Sequence, residues 1–177
     1  MRAFVALELP EKLRHALQRM QAGLPGRHVS EENLHLTLAF LGDVDAGRLR
    51  DLHGVLSGLK LAAPFLRVTG CDVFEGRKPM LAFAALAPDP YLVAARRAVR
   101  QAARDAGIEL RRERFRPHVT LSRFGRGIGA RDEARLATCL GPVARIVEER
   151  AERFGLYRSQ LRADGPIHEL LACYAFA

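Results

Sequence analysis

The chain has little that would staple, anchor or export it. Its three cysteines, Cys71, Cys139 and Cys173, are odd in number and widely separated. None forms the Cys-x-x-Cys pair of a zinc or dithiol redox site, so they read as small buried or idle thiols. No apolar run approaches the roughly 18 residues of a membrane helix, and Glu8 arrives too early for a signal-peptide apolar region. A soluble, cytoplasmic protein is expected. Aromatic residues make up only 7% of the chain, too few for a broad stacking platform along a long single strand. The Gly-rich turn of a dinucleotide fold is missing, as are low-complexity segments and any clear linker. A single domain over 1–177, or two small lobes sharing a core, is expected.

What the chain does have is positive charge and a repeat. Against 20 Asp+Glu stand 28 Lys+Arg, a formal net charge of +8, and nearly all of it is arginine. The guanidinium fork suits phosphate, so a polyanionic partner fits, although a GC-rich genome also favours arginine over lysine. Met1 to Leu7 matches Met80 to Leu86 at five of seven positions. His35 to Gly42 matches His118 to Gly125 with His, Thr, Leu and Gly in register, again about 80 residues apart. The spacing indicates duplication of a strand-helix-strand unit, with repeats of roughly 1–79 and 80–177.

Local patterns agree with that plan. Strands are predicted near 3–9, 33–41, 64–73, 80–87, from about 118, 143–156 and 168–176, from alternation and turn residues. Helices are predicted at 11–22, 45–59, about 90–106 and near 130–140, from apolar residues at spacings of three and four and from Pro and Gly at their ends.

In a strand, residues i and i+2 share a face, so His35 projects with Thr37 and His118 with Thr120. Leu36, Leu38, Val119 and Leu121 then face the core. A pseudo-twofold arrangement would bring both polar pairs to one cleft. There one imidazole can take a proton from an attacking water, the other can protonate a departing ribose oxygen, and the hydroxyls can hold phosphate oxygens. Histidine suits both tasks because its pKa of about 6.5 allows either state near neutrality. One His-x-Thr strand alone would be an ordinary surface or core pair; two copies in a matched phrase are not.

His15, His28, His53 and His168 lack such support and read as structural or solvated. No Asp, Glu or Cys completes a metal-ligand spacing with His35 and His118. Arg111, Arg112, Arg114, Arg116 and Arg126 read as a solvated charged face. Arg123 follows His118 by five residues and falls on the opposite face if pairing is regular, so it reaches a phosphate only through a bulge, a strand end or a side chain folded around the edge. Phe40 is its counterpart in the first copy, with a base-contacting or a core role.

The paired His35-Leu36-Thr37-Leu38 and His118-Val119-Thr120-Leu121 motifs, the opening Arg2 to Leu7, Phe115 to Arg123, Leu41 to Asp43 and Leu156 to Leu161 resemble the bacterial RNA 2′,3′-cyclic phosphodiesterases, also called 2′-5′ RNA ligases, of the 2H phosphoesterase superfamily. The resemblance runs over the whole chain. It implies a duplicated, bilobal α+β fold, with an antiparallel sheet in each lobe, helices outside and a central cleft. It also implies conversion of a terminal 2′,3′-cyclic phosphate to a 2′-phosphate without metal or cofactor, His35 as proton donor, His118 as proton acceptor, and reversal to a 2′-5′ ligation. The implied partner is an RNA or oligonucleotide with a cyclic phosphate end, acted on by a monomer away from membranes. A noncatalytic RNA-end binding module is the competing class. The sequence departs from the family at His28, where an aromatic is usual, at Gly165-Pro166-Ile167-His168, where the family often has Gly-Pro-x-Tyr, and at Ala82 and Phe83, where a tryptophan is usual nearby.

Overall fold

A computed structural model describes residues 1–74, 80–125, 127–144, 147–162 and 165–177. Arg126 of the basic run lies outside the described residues. The fold is α+β.

The first unit runs β1 (Arg2–Leu7), α1 (Glu11–Gln21), a two-residue strand β2 (Arg27–His28), β3 (Leu36–Asp43), α2 (Ala46–Ser57) and β4 (Phe65–Val73). The second runs β5 (Leu81–Leu86), α3 (Pro90–Asp105), β6 (His118–Arg123) and α4 (Ala130–Cys139), followed by β7 (Gly141–Pro142), β8 (Glu148–Arg150), β9 (Arg153–Arg162) and β10 (Gly165–Ala175). The strand expected near 143–156 is instead divided between β8 and the start of β9.

Helix ends follow their sequence signals. The Asp45 carboxylate accepts the Arg48 amide of α2, and Asp89 accepts the amides of Tyr91 and Leu92 at the start of α3, where Pro90 needs no amide partner. Leu13, Ala16 and Leu17 bury one stripe of α1, and Leu92, Ala95, Val99, Ala102 and Ala103 one stripe of α3.

The strands form one antiparallel sheet in the order β10-β9-β1-β3-β6-β5-β4-β7, with β2 on β6 and β8 on β4. Two features of this order place the site. A late strand of each unit crosses over: β4 pairs with β5 of the second unit, and β9 pairs with β1 of the first. The helices cross too, α1 packing on β6 and α3 on β3. Second, among the described residues the half-sheets β10-β9-β1-β3 and β6-β5-β4-β7 pair with each other through β3 and β6, at Leu36 with Val119. The two antiparallel half-sheets are therefore joined edge to edge at the residues that follow His35 and His118.

Candidate active site

Continued by one residue on either side of Leu36 and Val119, the antiparallel register sets His35 across from Thr120 and Thr37 across from His118. The flanking Leu36, Leu38, Val119 and Leu121 are at most 1% exposed. Burial of that apolar face fixes the direction of the four polar side chains, because a slip by one residue would bury all of them.

Both imidazoles are held in the same way. His35 Nδ1 lies 2.7 Å from the Asn33 carbonyl oxygen, and His118 Nδ1 lies 2.8 Å from that of Arg116, in each case two residues back along the chain. A carbonyl only accepts, so each Nδ1 carries a proton and each neutral ring keeps its lone pair on Nε2. Each ring also rests on an aromatic from the repeated opening phrase: His35 on Phe4 at 4.8 Å between centroids, His118 on Phe83 at 5.3 Å. Phe4 and Phe83 occupy matched positions, so the repeat itself was the signal for these supports, although periodicity alone reads both as ordinary core residues.

Burial disfavours the charged form of both rings. It pushes the pKa of His35 down from 6.5 to about 4, against the Asn33 hydrogen bond that raises it, with His168, Arg123 and His118 adding to the depression. His118 is also depressed by burial, opposed by its bond to the Arg116 carbonyl. Arg116 itself ion-pairs with Asp72 at 3.1 Å and lies over Phe74 and Phe83, so it is a member of the site rather than of a free charged face.

Arg123 reaches the site through a bulge. The pairing of β5 with β6 shifts between Ala82/Ser122 and Phe83/Thr120, leaving Leu121 as the extra residue and returning Arg123 to the face of Thr120. The same occurs in the first repeat, where pairing of β1 with β3 shifts around Leu38 and returns Phe40 to the face of Thr37. Phe40 is 59% exposed and 6.4 Å from Phe4, so it is no core residue. The Leu121 bulge is fastened from a distance. Its carbonyl accepts both the Val29 amide and Gln21 Nε2, each at 2.9 Å, while Gln21 also donates to the Val29 carbonyl at 2.7 Å. Gly26, at φ 81°, lets this segment lie against β6; a Cβ there would sit 2.6 Å from Phe124 and 2.7 Å from the Arg123 carbonyl.

Two hollows flank His35. One, of about 350 Å³, is lined by His35, Thr120, Arg123, Arg27 and His28, together with Pro166 and His168. The other, of about 520 Å³, is lined by Phe4, Tyr157, Arg14, Glu8, Glu31 and Glu32, and shares His35 and His168. His168 is therefore part of the site, not a solvated residue of the last strand. Of the other histidines, His28 bonds the Leu24 carbonyl, His53 bonds the Tyr174 hydroxyl, and His15 is exposed on α1. Among the described residues no group of three or more His, Cys, Asp or Glu side chains converges as a metal site, and no helix is long and apolar enough to cross a membrane.

The chain is similar to known proteins along most of its length. The sequence model of the LigT like Phosphoesterase family matches residues 7–81 and again 86–168, one histidine motif in each match. The chain belongs to that family. An RNA 2′,3′-cyclic phosphodiesterase of Methanothermobacter thermautotrophicus is 30% identical, with 94% of each chain covered; one of Thermus thermophilus is 33% identical over 97% of this chain and 88% of that protein. A Geobacillus stearothermophilus relative of the same name is 33% identical, but this chain spans only 42% of its length. Among solved structures, a Thermus thermophilus protein superposes with a TM-score of 0.84 at 30% identity, covering 99% of this chain and 98% of that one. Escherichia coli LigT in complex with 3′-AMP superposes at 0.78 with 25% identity, covering 99% and 96%.

Proposed function

We propose that the protein opens the 2′,3′-cyclic phosphate at an RNA end to a 2′-phosphate, using His118 as base and His35 as acid. The observation that carries this reading is the seam between the half-sheets, where two imidazoles, each with its Nδ1 on a backbone carbonyl, stand cross-strand from the two threonines and close enough for His118 to act electrostatically on His35. His118 Nε2 takes a proton from water, and the resulting hydroxide bonds to phosphorus as the bond from phosphorus to the 3′ oxygen breaks. His35 gives its Nε2 proton to that oxygen, leaving a 3′-hydroxyl and a 2′-phosphate. Thr37 and Thr120 donate to the non-bridging oxygens, and Arg123 meets their charge. Phe40 offers an exposed ring at the cleft edge for a base.

Burial leaves both rings neutral near pH 7 in the free protein, so one must gain its proton as the phosphate anion arrives. Attack by a 5′-hydroxyl on the same phosphorus, with the same proton roles, would give a 2′-5′ linkage. A noncatalytic module would have no use for two imidazoles anchored in this way. Within this reading the enzyme acts as a cytoplasmic monomer on RNA ends, which size-exclusion chromatography and cell fractionation test. The direct test is incubation with nucleoside 2′,3′-cyclic phosphates and with a cyclic-ended oligonucleotide. The 2′-phosphate isomer is expected; a 3′-phosphate, or no turnover, contradicts the reading.

A further inference from the structure

His168 lies on β10, which β9 and β1 separate from β3. In a flat sheet, three strand spacings would hold it about 14 Å from His35. Its ring is instead 5.2 Å from that of His35, at 88°, and 4.8 Å from Phe4. The β9-β10 hairpin therefore curls over the cleft. Asn33 fixes the curl: its side-chain amide donates to the Pro166 carbonyl at 2.9 Å, while its own carbonyl holds His35 Nδ1. One residue thus sets the distance between the two rings.

The His168 ring differs from the other two in its hydrogen bonding. Its Nδ1 is buried and has no hydrogen-bond partner among the described residues, whereas Nδ1 of His35 and of His118 each meets a carbonyl. A proton on His168 Nδ1 would be a buried donor without an acceptor, which is costly. The neutral ring therefore carries its proton on Nε2, the nitrogen left for the two hollows that the ring lines. Neutral His35 and His118 keep a lone pair on Nε2, whereas neutral His168 carries a proton there.

We propose that His168 is a third substrate-contacting residue, donating an Nε2–H hydrogen bond to an oxygen of the bound phosphodiester without itself exchanging a proton. The contact rests on the catalytic reading above for its substrate. The surroundings agree with a ring that stays neutral: Phe4 from β1, His35 before β3, Arg123 from β6, and Tyr157 and the cross-strand Ser159 from β9 face it, with Glu32 at the rim of both hollows. Burial, and then Arg123, hold its pKa below the ordinary histidine value.

The test compares wild type with His168→Gln, whose amide nitrogen reproduces the Nε2 donor and cannot titrate, and with His168→Phe, which keeps a ring and removes the donor. On uridine 2′,3′-cyclic phosphate, His168→Phe should lose about 10- to 100-fold in kcat/KM, while His168→Gln stays within about threefold and keeps the wild-type pH profile. In the wild-type protein, nitrogen NMR of the ring should show the proton on Nε2. Affinity for inorganic phosphate, titrated directly, should fall in His168→Phe and not in His168→Gln. That titration separates the two readings: wild type without turnover sinks the catalytic reading, while phosphate affinity still tests the contact. A His168→Phe protein equal to wild type, a folded His168→Gln as impaired as His168→Phe, or a proton found on Nδ1 each overturns the proposal. The tautomer measurement stands even where a variant fails to fold.

Discussion

Placing His35 where it is hard to charge has a consequence for stability that does not depend on substrate. Its pKa falls from 6.5 to about 4 on folding, first through burial. Below pH 6.5 the unfolded chain therefore binds a proton that the folded one refuses, so stability is full above pH 6.5 and is lost as the pH falls toward 4. At pH 5 the linkage relation gives a loss of about 2 kcal/mol from this group, and about 3 kcal/mol once both states are protonated. His118 and His168 are shifted the same way and add to the wild-type loss. His35→Asn isolates the effect, since its amide can keep the bond to the Asn33 carbonyl while removing the titration. Urea unfolding of both proteins at pH 7.5 and pH 5 should show His35→Asn losing about 2 kcal/mol less than wild type across that interval. Carboxylates titrate alike in both proteins and cancel in the comparison. Equal losses would refute the claim that burial holds His35 neutral.

Three further outcomes follow from the same geometry. The anionic substrate should raise the pKa of the ring that must be charged, so the alkaline limb of the pH profile should lie higher for kcat than for kcat/KM; coincident limbs would contradict a proton acquired with the phosphate. Gln21→Leu removes the side chain that fastens the Leu121 bulge and should destabilise by about 1–3 kcal/mol while raising KM, as measured by urea titration and steady-state kinetics; an unchanged KM would mean that the bulge keeps Arg123 in place unaided. Arg123→Ala should raise KM and flatten its salt dependence, because a lost phosphate contact weakens counterion release; an unchanged salt slope would remove Arg123 from the substrate path.

The parts of the site that could be read in the sequence are those set by local pattern. Two matched phrases placed His35 with Thr37 and His118 with Thr120 on common strand faces, and the four helices lie close to their predicted bounds. Long-range partners decided the rest. Arg123 and Phe40 change faces at bulges, and the β6 bulge depends on Gln21, 100 residues from Leu121, which no periodicity reports. The exchange of β4 and β9 between half-sheets is likewise invisible to strand prediction, because each strand has the same pattern beside either neighbour. His168 was misread for a related reason: along the chain it belongs to an edge strand, and only the hairpin's curl, tied by Asn33 to Pro166, carries it to His35.

The central claim, one histidine as base and the other as acid, is tested most directly by pairing each loss with a better leaving group. On an ordinary cyclic phosphate, His35→Ala and His118→Ala should each lower kcat/KM by roughly 10²- to 10⁴-fold, which alone does not tell them apart. An aryl phosphodiester needs little protonation as its bond to phosphorus breaks, so on that substrate His35→Ala should recover most of its rate while His118→Ala remains fully impaired. Recovery of His118→Ala instead would exchange the two roles, and recovery of neither would contradict the division into one acid and one base.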